Sequence, residues 1–129
     1  MHVDGGARGN PGRAAAAAVV SAPDGQIVDE ASRVLGVATN NVAEYQALLL
    51  GLERARQLGA SEVEVINDSE LVARQVNGEY RVKHAALRPL HEQVLRSLAA
   101  FDRWQVRSVP REENRRADAL VNAALDSAG

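Results

Sequence analysis

Four acidic residues, Asp4, Glu44, Asp68 and Asp118, stand where a carboxylate could do chemistry. Asp4 closes a short extended stretch, and Gly5-Gly6-Ala7-Arg8-Gly9-Asn10-Pro11-Gly12 follows it. Glycines permit positive φ and close approach by a ligand, and proline fixes the exit direction. Such a turn could offer main-chain N–H groups to a phosphate while the aspartate beside it holds a cation. The other reading is a hairpin turn in which Asp4 is merely polar. Asp68 follows an apolar strand pattern, and Glu44 and Asp118 fall in the first turns of two helical patterns. Any one of these acids, taken singly, also reads as a capping or surface residue. Taken together they point to a site, because four carboxylates at one place repel and desolvate badly unless divalent cations hold them. Hard cations with oxygen ligands, Mg²⁺ or Mn²⁺, suit such a set. Two ions about 4 Å apart would activate a water and stabilise the leaving oxygen of an in-line phosphoryl displacement. That chemistry is phosphodiester hydrolysis without a histidine or serine nucleophile.

The elements that must position these acids can be read in order. Met1 to Asp4 is a strand stub. Ala14 to Val20 is a second strand despite its alanines, because it lies between Gly12 and the Pro23-Asp24-Gly25 turn and ends in Val19-Val20. Ile27 to Val37 is its hairpin partner. Thr39-Asn40-Asn41 caps a helix that runs to about Leu58, with Val42, Tyr45, Leu48, Leu49, Leu52, Ala55 and Leu58 on one stripe and Glu44 off it. Gly59 stops that helix. Glu62 to Ile66 is a strand, and Asn67-Asp68-Ser69 caps a short helix through about Val76. A loop from Tyr80 leads to a helix over Pro89 to Ala100. Trp104 to Val109 is the last strand, with Trp104, beside Phe101, expected in the core. Arg115 to Leu125 is the last helix, its Ala117, Leu120, Val121 and Ala124 facing inward. The order β-β-β-α-β-α-α-β-α implies an α/β protein with a mixed sheet and helices on both faces. If the first and fourth strands are parallel neighbours, Asp4 and Asp68 meet beyond their carboxyl ends, where sites of open α/β sheets form.

Composition limits the alternatives. A chain of 129 residues, 46% hydrophobic and 25% charged, suits one globular domain with a real core. There is no cysteine, which excludes disulfides, thiolate metal sites and cysteine nucleophiles. The longest apolar run, Ala14 to Val20, is too short to span a bilayer, so the expected setting is the cytoplasm, with no membrane partner. The net charge of −2 hides an asymmetry: residues 1–79 carry six basic against eleven acidic groups, and residues 80–116 carry nine against four. A basic segment feeding an acidic cluster suits a nucleic-acid enzyme that uses cations, although a solvated charged face would read the same way.

Four motifs then carry a resemblance: Asp4-Gly5-Gly6-Ala7-Arg8-Gly9-Asn10-Pro11-Gly12, Thr39-Asn40-Asn41-Val42-Ala43-Glu44, Asn67-Asp68-Ser69 and Pro110-Arg111-Glu112-Glu113-Asn114-Arg115-Arg116-Ala117-Asp118. In this order and spacing, from Val3 to about Leu125, the chain resembles ribonuclease HI. The resemblance implies one RNase H-like domain over residues 1–129. Its five-stranded mixed sheet would have the first three strands antiparallel, strands 1, 4 and 5 parallel, and helices on both faces. It implies Asp4, Glu44, Asp68 and Asp118 as metal-binding catalytic carboxylates for Mg²⁺ or Mn²⁺, two ions acting with substrate bound. The implied reaction is hydrolysis of the RNA strand of an RNA–DNA hybrid, leaving 5′-phosphate and 3′-hydroxyl ends. Asn10, Asn40 and Asn41 match positions that read RNA 2′-hydroxyls and backbone, chemistry that separates RNA from DNA; they are also good caps and turn formers. Gly5, Glu70, Arg111 and Asn114 complete the implied substrate-binding set. The implied state is a monomer.

The chain departs from the family in three ways. Ser108 stands where a mobile histidine is common, ten residues before the last aspartate, so slower turnover is expected, or Arg111 or a water takes over. Glu70 replaces a frequent glutamine. The loop from Tyr80 to Leu87 carries only Arg81, Lys83 and His84, so the chain resembles the compact branch without a basic handle, some of whose members also cut double-stranded RNA. Fewer neutralised phosphates imply weaker, less salt-dependent binding. Two alternatives stay open: a catalytically weak or silent hybrid-binding module, and another RNase H-like nuclease acting on double-stranded RNA or DNA.

Overall fold

A computed structural model describes residues 1–128. The five strands are β1 (His2–Gly9), β2 (Gly12–Ser21), β3 (Ile27–Ala38), β4 (Glu62–Asn67) and β5 (Arg103–Ser108). The helices are α1 (Asn40–Gln57), α2 (Glu70–Val76), α3 (Arg88–Ala99) and α4 (Arg115–Ser127), with single 3₁₀ turns at Ala85–Leu87 and Arg111–Glu113. The strands form one sheet in the order β3-β2-β1-β4-β5, antiparallel through β3, β2 and β1 and parallel from β1 through β4 to β5.

The alanine run of β2 follows from this order. The strand is buried on both faces, so it reads as a continuous apolar run rather than an alternating one. Ala16 and Ala18 join Val3, Tyr45, Leu48 and Leu52 on the α1 side, while Ala15 and Ala17 pack with Val121 and Leu125 of α4. Small side chains let both helices approach the sheet closely. The approach is close at Gly5, where a Cβ would lie 2.1 Å from the Ala43 carbonyl oxygen of α1.

The caps fall where the sequence places them. Thr39 accepts a hydrogen bond from the Val42 N–H at 3.2 Å, and Ser69 accepts one from Val72 at 3.3 Å. Gly59 takes φ 80° just past α1, a conformation glycine adopts without a Cβ penalty.

Three expectations are corrected. The first strand does not stop at Asp4: β1 continues to Gly9, paired with β2 from His2↔Val19 to Gly9↔Gly12, and only Asn10 and Pro11 lie between the two strands. Gly5 and Gly6 are therefore strand residues, used for close packing rather than for turning. Glu44 lies in the second turn of α1 and is buried, because α1 is covered well beyond one stripe, including Ala43, Ala47 and Leu50. Trp104 is 38% exposed on the edge strand β5, and Phe101 takes the core position instead. No helix among the described residues is long and apolar enough to cross a membrane.

Candidate active site

The site grows out of a mismatch in strand length. β1 and β4 are in parallel register at His2↔Ile66, and β4 ends at Asn67 while β1 runs on to Gly9. Backbone polar groups alternate between the two edges of a strand. The Met1 carbonyl accepts from the Ile66 N–H, so the odd-numbered residues of β1 address the β4 side. Beyond the end of β4 these groups have no strand to bond, and a buried backbone group left unpaired is costly. Side chains take the place of the missing strand. Asn114 donates to the Val3 carbonyl at 2.8 Å, the Gly5 N–H donates to Glu44 Oε1 at 3.3 Å, and the Ala7 N–H donates to Asn40 Oδ1 at 2.9 Å. The vacated edge thus draws the last helix and α1 to one place.

Asp4 lies on β1 between Val3 and Gly5, and Asp68 directly past the end of β4. Asn67, wholly buried, fixes that end by accepting from the Ser69 N–H at 2.7 Å and donating to the Arg107 carbonyl. Asp4, Glu44 and Asp68 each bring a carboxylate oxygen within 4.8 Å of the others. They line a cleft of about 380 Å³ that also includes Asn40, Arg111 and Asp118.

Burial and like charge raise the proton affinity of Asp4 and Glu44. Asp4 is pushed up to about 7, first by desolvation and then by the charges of Asp68 and Asp118. Glu44 is raised well above the usual carboxylate range, mainly by burial and then by Asp4 and Asp68, while the Gly5 N–H opposes. Glu44 Oε2 is buried and accepts no hydrogen bond among the described residues. An orphaned carboxylate oxygen beside two further carboxylates is a costly arrangement for a protein to keep, and a hard divalent cation satisfies it. The donor set fits Mg²⁺ or Mn²⁺.

The other sequence-selected residues are not all gathered at this point. Asp118, in the first turn of α4, lines the cleft but stands outside the compact triad; Arg111 donates to its Oδ1 at 3.3 Å. Asn10 and Asn40 are interlocked, the Asn40 N–H donating to Asn10 Oδ1 at 3.0 Å. Asn41 lines a separate groove with Leu71, Tyr80, Arg81, Lys83 and His84. Glu70 is held in an exposed ion pair with Arg74 at 2.8 Å. Asn114 is 1% exposed, so it lies beneath the cleft rather than on its surface, and its amide also approaches Asp68 Oδ2 at 3.5 Å. Ser108 ends β5 in register with Asn67. Arg8 also lines the cleft but was not singled out from the sequence. The available signal was period-two alternation from Asp4 through Gly6.

Comparison with known proteins agrees with this architecture. A family described as reverse transcriptase-like matches residues 2–124. Ribonuclease HI of Halobacterium salinarum is 44% identical over 127 residues, covering 98% of this chain and 64% of that protein. A bifunctional protein of Mycobacterium tuberculosis is 44% identical over 129 residues, covering 99% of this chain and 35% of that protein. The chain therefore spans only part of these relatives. The crystal structure of RNase H1 from Halobacterium salinarum matches with a TM-score of 0.95 at 44% identity, covering 98% of this chain and 96% of that one. LC11-RNase H1, isolated from compost and solved in complex with an RNA/DNA hybrid, matches with a TM-score of 0.93 at 41% identity, covering 98% and 96%. With the match across residues 2–124 and these relatives, the chain belongs to the reverse transcriptase-like family and, within it, to the type 1 ribonucleases H.

Proposed function

We propose that this chain is a metal-dependent endoribonuclease that hydrolyses the RNA strand of RNA–DNA hybrids, leaving 5′-phosphate and 3′-hydroxyl ends. The observation that carries this reading is the triad of buried Asp4, buried Glu44 and half-buried Asp68, with an unpartnered oxygen on Glu44. Asp4, Glu44, Asp68 and Asp118 would hold two Mg²⁺ or Mn²⁺ ions, whose positive charge would activate water and stabilise the leaving oxygen.

The remaining groups bind and orient. Asn10 and Asn40 have their side-chain carbonyls committed to backbone N–H groups, which leaves their amide N–H₂ groups as donors to a 2′-hydroxyl or a phosphate. Asn41 extends that contact toward the groove beside Tyr80. Gly5 keeps the floor of the cleft thin. Arg111, with its side chain 76% exposed, exchanges Asp118 for a phosphate oxygen when substrate arrives. Asn114 acts by positioning, since its amide ties the Val3 carbonyl to Asp68. Glu70 acts at the edge of the binding face. The domain works as a monomer on the hybrid.

Asp68→Asn tests the reading. It is expected to abolish hybrid cleavage while hybrid binding, measured by fluorescence anisotropy, stays within about threefold of wild type, because one carboxylate changes and no fold contact is lost. Cleavage at the wild-type rate would remove the carboxylate assignment.

A further inference from the structure

We infer that Arg8 is a phosphate anchor for the RNA strand on the α4 side of the cleft, held ready there by Asn122 and Asp126; the inference rests on the hybrid reading above. Arg8 and Arg111 are the only cationic residues lining the cleft among the described residues, against four carboxylates. A strand whose phosphate sits at the triad brings further phosphates along the cleft, where, among the described residues, Arg8 and Arg111 alone supply positive charge. Gly6 turns its missing side chain toward Val121 of α4, so Asp4, Gly6 and Arg8 share one face of β1. The triad residue Asp4 and the cation Arg8 are thereby aligned along one strand.

The surroundings of Arg8 hold it in place without committing it. Its guanidinium meets Asp126 at 2.6 Å and Asn122 Oδ1 at 3.5 Å, while the Asn122 amide donates to the Asp118 carbonyl at 3.1 Å. Both partners of the ion pair are exposed, the Arg8 side chain by 44% and Asp126 by 68%. An exposed pair of this kind is worth little, so a phosphate, which guanidinium binds in a bidentate fork, can displace Asp126. The alternative role for Arg8 is purely structural. With Arg13, which donates to the Leu125 carbonyl at 3.0 Å, it would only tie the end of α4 to the β1–β2 hairpin.

Steady-state hybrid cleavage in MgCl₂ across a KCl series, with Tm in parallel, separates the two roles. Arg8→Ala is expected to raise KM roughly fivefold to tenfold with kcat nearly unchanged. It should also lower the slope of log KM against log[KCl] by about 1, one phosphate contact fewer. Asp126→Asn removes the competing charge of the ion pair and leaves Arg8 its cation and its Asn122 contact, so KM should stay the same or fall and the salt slope should persist. Equal changes in KM for the two variants, or an unchanged slope in Arg8→Ala, would overturn the anchor and leave the structural tie. If wild type fails to cleave the hybrid, the hybrid reading falls and the anchor with it, whereas wild-type cleavage with an unchanged Arg8→Ala slope removes the anchor alone.

Discussion

The Gly5 N–H donates to Glu44 Oε1 at 3.3 Å, and a Cβ on Gly5 would stand 2.1 Å from the Ala43 carbonyl oxygen of the same helix. One position of β1 therefore sets both how near α1 lies and where its carboxylate points. The donor is available only because β4 has ended, so that the edge of β1 is open at Gly5.

Gly5→Ala should consequently be among the most damaging small substitutions in the chain. A methyl group cannot share that space, so α1 must move away from the sheet, and Glu44 moves with it. The expected loss is about 3 kcal/mol or more of unfolding free energy, measured by urea denaturation, together with loss of cleavage. A stable and active Gly5→Ala protein would contradict the close packing.

Asp4 gives a pH dependence of defined sign. Its folded-state value of about 7 exceeds the ordinary carboxylate value, so between roughly pH 4 and 7 the folded chain retains a proton that the unfolded chain has released. This contribution is therefore present at low pH and is lost as pH rises through about 7. In EDTA, Asp4→Asn should melt about 5–10 °C above wild type at pH 8, and the gap should shrink toward pH 4. Added Mg²⁺ should raise the wild-type Tm at pH 8 and do so less as the pH falls below 7, because protons compete for the same oxygens. A gap that widens on acidification would contradict the shift.

The proposed positioning role of Asn114 can be separated from substrate contact. Asn114→Ala removes the donor to the Val3 carbonyl at 2.8 Å and leaves that buried acceptor unpaired. The expected cost is about 1–3 kcal/mol in stability. A fall in kcat with little change in KM should accompany it, since Asp68 also loses its neighbour. A pure rise in KM would mark Asn114 as a substrate contact instead.

At Asn40 the contact that holds the fold can be separated from the proposed contact with substrate. Asn40→Asp keeps an acceptor for the Ala7 N–H and removes the N–H₂ donor, so stability should stay within about 0.5 kcal/mol of wild type. Hybrid cleavage should fall roughly tenfold in kcat/KM, because a donor becomes a negative charge facing phosphates. Unchanged cleavage would take Asn40 out of the binding face.

Much of this was legible in the sequence. The caps at Thr39 and Ser69, the stop at Gly59 and the strand identity of the alanine run follow from local chemistry, and the four acids stood out by their settings. The length of β1 was not legible, since Gly5 and Gly6 carry a turn signal yet lie in a strand, where the contact with Ala43 explains a glycine better than backbone freedom does. The burial of Glu44 escaped a single-stripe reading because α1 is covered on several sides. Trp104 escaped because edge exposure depends on strand order, which no local pattern records. The place of Asn114 beneath the cleft depends on a contact with Val3, 111 residues away in sequence.

Cleavage of three end-labelled duplexes of equal sequence, RNA–DNA, RNA–RNA and DNA–DNA, each in Mg²⁺, Mn²⁺ and EDTA, tests the proposed metal-dependent, hybrid-directed ribonuclease most directly. The predicted result is cutting of the RNA strand in the hybrid with either metal, 5′-phosphate and 3′-hydroxyl products, no cutting of the DNA duplex and none in EDTA. Failure to cut the hybrid in either metal while still binding it would contradict the account and mark the chain as a binding module.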